Sequence, residues 1–278
     1  MKAVVRGWLL RGLARLERDL RGGGIPSLTY HSLDASGSPV SFPGDYCRAQ
    51  LDWLAVRGYR SLTAEQAAAA LAGAGPLPER AVAITFDDGF RSVREVGFPL
   101  LAERGFTATV FCVAGSMGKR CEWPGAPREP ALELMSWEEV RFLADRGWEI
   151  GGHTVTHARL TELPEAARQE EIEEGRRMVM ERAGVPVTSF AYPYGAYDAG
   201  CARAAAAAGL ASAWTMEPVV NAPGCDRYTL GRFHCNRVQS DSPRAAALAA
   251  RVCLGGRYGW YAALTARPLR RRAFERER

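Results

Sequence analysis

From Ile25 to His234, short apolar or β-branched runs alternate with helical stretches, and most of the helices carry their own start and stop signals. Ile25–Tyr30, Ala81–Phe86, Thr107–Val113, Trp148–Gly151, Ser189–Tyr192, Ala211–Met216 and Tyr228–His234 read as strands. Residues 45–57, 90–104 and 164–183 read as helices between them. Two further helices open on capping boxes, Thr63-Ala-Glu-Gln66 and Ser136-Trp-Glu-Glu139, and another is capped by Asp198. Gly105, Gly147, Gly184 and Gly209 stand where helices stop. Residues 116–135 have no period and read as an excursion loop. Strands separated by long helices imply parallel βαβ units, because a parallel partner needs a long crossover. Six or seven units in this span fit a barrel better than an open sheet. No glycine-rich nucleotide fingerprint follows the first strand, which lowers the dinucleotide-binding reading.

The net charge of +5 is a property of the ends. Residues 1–22 carry +4 and residues 255–278 carry +5, so the middle is acidic and nucleic-acid binding by the core is not indicated. Val5, Leu9, Leu13, Leu16 and Leu20 share one helical face, opposite Arg11, Arg15 and Arg18. Such a helix can lie peripherally on an anionic membrane or pack on the protein's own body, and the sequence leaves both open. No run is long and apolar enough to span a bilayer, and the arginines interrupt any signal-peptide core. Seven cysteines without C-x-x-C spacing argue against a disulfide framework. Together these features predict a cytoplasmic protein.

All four histidines fall at or just past predicted strands: His31, His153, His157 and His234. Asp87 and Asp88 follow the strand 81–86, and Tyr194 and Gly195 follow the strand 189–192. In a parallel barrel those strand ends converge on the face where active sites are built. His153 and His157 are spaced so that both can reach one metal ion. Two imidazoles plus one carboxylate leave a coordination position open, as catalytic sites do. The same residues also fit a plainer arrangement, with Asp88 capping the next helix and the histidines satisfied in the core.

Three motifs, TFDDG at 85–89, HTVTH at 153–157 and AYPYG at 191–195, resemble in this order the polysaccharide deacetylase family, the NodB-homology or family 4 carbohydrate esterases. The resemblance implies an α/β fold, a distorted (β/α)7-type barrel over residues 25–240. A basic amphipathic segment at 1–24 and a helical basic tail at 241–278 extend this single domain. It also implies a metal-dependent hydrolase that removes N-acetyl groups from N-acetylhexosamine units. The cofactor would be one divalent ion, usually zinc, with cobalt, nickel or manganese as alternatives. Asp87 would be the base, Asp88, His153 and His157 the metal ligands, and the Tyr194 backbone N–H part of the oxyanion site. Pro193, Tyr194 and Gly195 would shape the substrate groove.

Two departures matter. The late stretch LGRFHCNR lacks the family's Leu-x-His pattern for the acid histidine, whereas LTYHSL resembles the poly-N-acetylglucosamine deacetylase branch. His31 is therefore favoured as the acid over His234. The arginine that usually precedes the Pro-Tyr motif is absent, and Arg232 is a candidate to reach Asp87 in its place. Trp123, Trp137, Trp214 and Tyr197 are candidate sugar-stacking surfaces. The expected substrate is an N-acetylated glycan, reached, if lipid-linked, through the basic termini. An O-acetyl esterase, a cyclic-amide hydrolase and a non-catalytic glycan-binding module are the rival readings.

Overall fold

The computed structural model describes residues 23–124 and 132–235. The helical segments expected at the two ends lie outside the described residues. Among the described residues, eight strands, β1 (Ser27–Tyr30), β2 (Arg60–Leu62), β3 (Ala81–Phe86), β4 (Thr109–Cys112), β5 (Glu149–Gly152), β6 (Ser189–Ala191), β7 (Ser212–Trp214) and β8 (Phe233–His234), form one sheet. Its order is β7-β6-β5-β4-β3-β1-β8, and every pairing is parallel. β2 pairs with the first half of β3, Arg60 opposite Ala81, while β4 takes over at Thr85. The stretch 228–234 is not one strand, as its composition suggests. Leu230 bridges to Trp214 of β7, and Phe233 and His234 pair with β1, so this segment spans the gap between the two edges and curls the sheet into a distorted barrel.

Among the described residues, six helices cover the outside and one end: α1 (Gly44–Val56), α2 (Ala64–Leu71), α3 (Phe98–Ala102), α4 (Trp137–Ala144), α5 (Glu165–Ala183) and α6 (Ala199–Ala207). Both capping boxes form: Thr63 and Gln66 exchange bonds of 3.2 and 3.0 Å, Ser136 and Glu139 bonds of 3.2 and 2.8 Å. Asp198 accepts from the Cys201 N–H at 2.8 Å, and α5 ends at the left-handed Gly184. The expected helix 90–104 is interrupted. Val93–Gly97 is a π-helical turn, and α3 begins beside Pro99, which has no N–H to continue an α-helical ladder. No helix among the described residues is long and apolar enough to cross a membrane.

The apolar interior has two compartments. The larger lies between sheet and helices, where Leu28, Ile84, Val110 and Ile150 of alternating strand positions meet α1, α4 and α5. The smaller fills the barrel, where Ala81, Ala83, Phe111, Ala191 and Trp214 pack with Ala64, Ala67, Ala68 and Leu71 of α2. Small side chains let α2 plug the end of the barrel at which the strands begin. The strand ends at the other mouth stay free for polar groups.

Candidate active site

Because the strands run parallel, His31, Asp87, Asp88, His153, Tyr194 and His234 emerge at the same mouth. The sheet ladder continues into the site: the Asp87 N–H donates to the Tyr30 carbonyl at 2.9 Å and the His153 N–H to the Cys112 carbonyl at 3.0 Å. Just beyond, the backbone turns sharply. Asp88, Thr154, His157 and Tyr194 all have left-handed φ, between 61 and 70°, and only Arg80 shares this among the other described non-glycine residues. Each such residue costs about 1–3 kcal/mol, and clusters of them mark sites where geometry is held against local preference. Thr154 Oγ1 accepts from the His157 N–H at 2.9 Å, and Glu171 of α5 accepts from the Val155 and Thr156 N–H groups.

Asp88, His153 and His157 come together, each buried, with one ligand atom apiece lying within 4.8 Å of the others. His153 Nδ1 donates to the Ala191 carbonyl at 2.7 Å, which in the neutral ring leaves Nε2 unprotonated. That Nε2 faces Asp88 Oδ1 at 3.4 Å, and His157 Nε2 faces the same oxygen at 3.3 Å. Asp88 Oδ1 is buried and has no hydrogen-bond partner among the described residues. The His153 lone pair and the Asp88 oxygen face one another in a buried pocket, a contact that a cation between them would relieve. Two imidazole nitrogens and a carboxylate oxygen suit a borderline divalent ion such as zinc. Burial works to raise the Asp88 carboxyl, but the electrostatic pull of His157 and His153 outweighs it and holds it well below the carboxylate range. Burial pushes the His157 imidazole below its ordinary value, against the pull of Asp88.

Asp87 is gripped by Arg232 rather than by an arginine preceding the Pro-Tyr motif. Arg232, fully buried just before β8, donates from Nη1 and Nη2 to the two carboxylate oxygens at 2.6 and 2.8 Å. The guanidinium is itself fixed: Nε donates to the Thr215 carbonyl at 2.9 Å, and Nη1 also reaches Thr85 Oγ1 at 3.2 Å. Its plane lies over Phe111, 5.4 Å from the ring centroid. Phe111 can lie there because position 151 is glycine; a Cβ at Gly151 would stand 2.4 Å from the Phe111 ring. Burial would raise the Asp87 carboxyl, but Arg232, with His153 and His31 behind it, holds it below its ordinary value.

The two histidines that the sequence sets up as rivals are neighbours. His31 and His234 leave adjacent strands with ring centroids 4.8 Å apart. His31 Nδ1 and His234 Nε2 are both buried without a hydrogen-bond partner among the described residues. Burial, with His31 next to it, pushes His234 down to about 3, so it is neutral at neutral pH.

Tyr194 forms the near wall. Its ring meets His157 at 4.5 Å, and its hydroxyl donates to the Pro124 carbonyl at 2.7 Å. Gly195 follows with φ 66°, and a Cβ there would stand 2.5 Å from the Met216 Cβ, so the Pro193–Gly195 turn demands glycine twice over. Of the aromatic candidates, Trp123 lies on the His157 ring at 4.7 Å. Trp214 is a correction: it is fully buried in the barrel interior, with Nε1 donating to Ser212, and cannot stack on a ligand. Trp137 packs on the core, and Tyr197 stacks on Tyr192 and donates to Glu217. Thr154, Glu171 and the Ala191 carbonyl are supporting groups that sequence reasoning missed. Glu171 is one glutamate among many on α5, and a carbonyl leaves no mark in a sequence.

The family model described as Polysaccharide deacetylase matches residues 74–213, half of the chain. The chain belongs to the polysaccharide deacetylase family. This makes it a hydrolase acting on the N-acetyl amide bonds of sugars. It is 28% identical over 218 residues to the putative polysaccharide deacetylase YxkH of Bacillus subtilis, covering 78% of this chain and 74% of that one. It is also 28% identical over 145 residues to the poly-β-1,6-N-acetyl-D-glucosamine N-deacetylase of Escherichia coli K12, spanning 47% of this chain but 20% of that longer protein. Among solved structures, IcaB from Ammonifex degensii superimposes with a TM-score of 0.70 at 28% identity, over 82% of this chain and 97% of that one. The shared fold is the distorted barrel of these deacetylases.

Proposed function

We propose that this polysaccharide deacetylase removes acetyl groups from N-acetylglucosamine-type units of a glycan with the help of one divalent metal ion, and that Asp88, His153 and His157 hold that ion. The observation that carries this reading is the unpartnered Asp88 oxygen facing two imidazole nitrogens, beside a second carboxylate locked by Arg232. When bound, the metal supplies Lewis-acid polarisation of the amide carbonyl and a more acidic water.

The chain's own residues supply the rest. Asp87 is the base. Arg232 occupies one lone pair on each of its oxygens, keeps the group ionised while buried, and leaves the other lone pairs to accept a proton from water. The Tyr194 backbone N–H holds the negative charge that develops on the carbonyl oxygen. His31 gives a proton to the departing amine. Neutral His234 lies beside it. Pro193, Tyr194 and Gly195 form the groove wall on which the sugar rests.

The test is acetate release from a panel of N-acetylated glycans, β-1,6-linked N-acetylglucosamine oligomers among them, with and without a chelator. Lipid-linked sugars belong in the panel because the basic termini suit an anionic membrane surface. O-acetylated sugars serve as the contrast: acetate from these alone would replace the amide reading with an esterase.

A further inference from the structure

On the rim of the site, two residues beyond His157, the Arg159 guanidinium sits over the Tyr194 ring, 4.4 Å from Cζ to the centroid. Tyr194 is held from several sides. Its backbone is left-handed, its ring abuts His157, and its hydroxyl is tied to the Pro124 carbonyl. Arg159 Nε pairs with Glu162 Oε1 at 3.1 Å, while neither Nη takes a partner among the described residues. The side chain is 41% exposed and Glu162 is 72% exposed, so this ion pair is weak and solvent-screened. The result is a planar cation seated on the Tyr194 ring, whose two terminal amino groups are unpartnered among the described residues. A planar fork of this kind matches a carboxylate or a phosphate. It matches a neutral sugar poorly, and it repels the ammonium of a unit already deacetylated.

We propose that Arg159 is a specificity-determining residue that binds an anionic substituent, carboxylate or phosphate, carried by the glycan next to the N-acetyl sugar being hydrolysed. This rests on the deacetylase reading and names the substrate class for that same site. The fork is seated on Tyr194 and partly exposed, so the selectivity is about tenfold, the size of one charge-assisted hydrogen bond at a part-exposed position.

The experiment compares three oligosaccharides of equal length: a neutral N-acetylglucosamine oligomer, one alternating with a uronic acid, and one carrying a sugar phosphate. Acetate release is measured for the wild type, Arg159→Gln and Arg159→Lys, and binding of the same compounds is measured by calorimetry. The wild type should favour one or both anionic compounds about tenfold in kcat/KM, through KM, with the preference falling as salt rises. The uronate and phosphate arms identify the group recognised. Arg159→Gln should bring the ratio to about one while leaving turnover of the neutral oligomer unchanged, and Arg159→Lys should keep part of the preference. Equal use of all three compounds by the wild type would overturn the proposal. So would an Arg159→Gln variant that keeps the preference or loses neutral turnover as well. Absence of acetate from every compound, with the binding preference intact, would overturn the deacetylase reading and leave the assignment of Arg159 standing.

Discussion

Arg232 and Asp87 show how much one buried pair can govern. Burying either charge alone costs several kcal/mol, and the bidentate contact makes the pair tolerable. Arg232→Gln should therefore cost about 3 kcal/mol or more of stability at neutral pH, measured by urea denaturation, and abolish turnover. Adding Asp87→Asn to that variant should recover much of the stability and none of the activity, because the stranded charge is gone but so is the base. The histidine pair gives a second prediction at this scale. His31→Asn should lower kcat on N-acetyl sugars about 100-fold or more, yet spare an aryl acetate ester whose leaving group needs no proton. His234→Asn should have the smaller effect on kcat. If the two variants exchange these behaviours, His234 is the acid. His234 also carries a pH signature. Its folded value, about 3, lies below the ordinary histidine value, so its contribution to stability is fully present above about pH 6.5 and is lost as pH falls towards 3. His234→Asn should flatten the stability–pH curve in that window.

At the level of elements, the site depends on small residues as much as on charged ones. Gly151 admits the Phe111 ring, Phe111 underlies Arg232, and Arg232 holds Asp87. Gly151→Ala should cost about 1–3 kcal/mol by overpacking and should lower kcat through the Phe111–Arg232–Asp87 contacts. Thr63→Ala supplies the contrast. Loss of that capping bond should cost about 1 kcal/mol of thermal or denaturant stability and leave kcat unchanged, since α2 plugs the opposite end of the barrel. Elements with local signals were legible in the sequence. The two capping boxes and the glycine stop of α5 stand where Thr63, Ser136 and Gly184 place them. Arg60–Leu62 was not, because three residues of mixed polarity become a strand only through the edge of β3 that receives them. The split of 228–234 was hidden for the same reason: Leu230 and Phe233 belong to opposite edges of the sheet, and only the closed sheet separates them.

For the whole molecule, the parallel barrel turns residues scattered over more than two hundred positions into one mouth. The identities of the metal-binding candidates were legible because Asp88, His153 and His157 sit in short motifs at strand ends. Their charge balance was not. The tautomer of His153 is set by a carbonyl on β6, and the left-handed turns at Asp88 and His157 leave no compositional trace. The adjacency of His31 and His234 depends on β8 closing against β1, which no local pattern encodes. In the proposed reaction a metal held by Asp88, His153 and His157 and a base at Asp87 act together on a sugar amide. The most direct measurement is acetate release from an N-acetylglucosamine oligomer by the wild type and by Asp87→Asn, each before chelation, after chelation and after zinc is restored, with bound metal assayed in parallel. Joint action of metal and base predicts wild-type release that chelation abolishes and zinc restores, and an Asp87→Asn variant that binds about one zinc per chain and releases no acetate. Release indifferent to chelator, or wild-type turnover by Asp87→Asn, would contradict it.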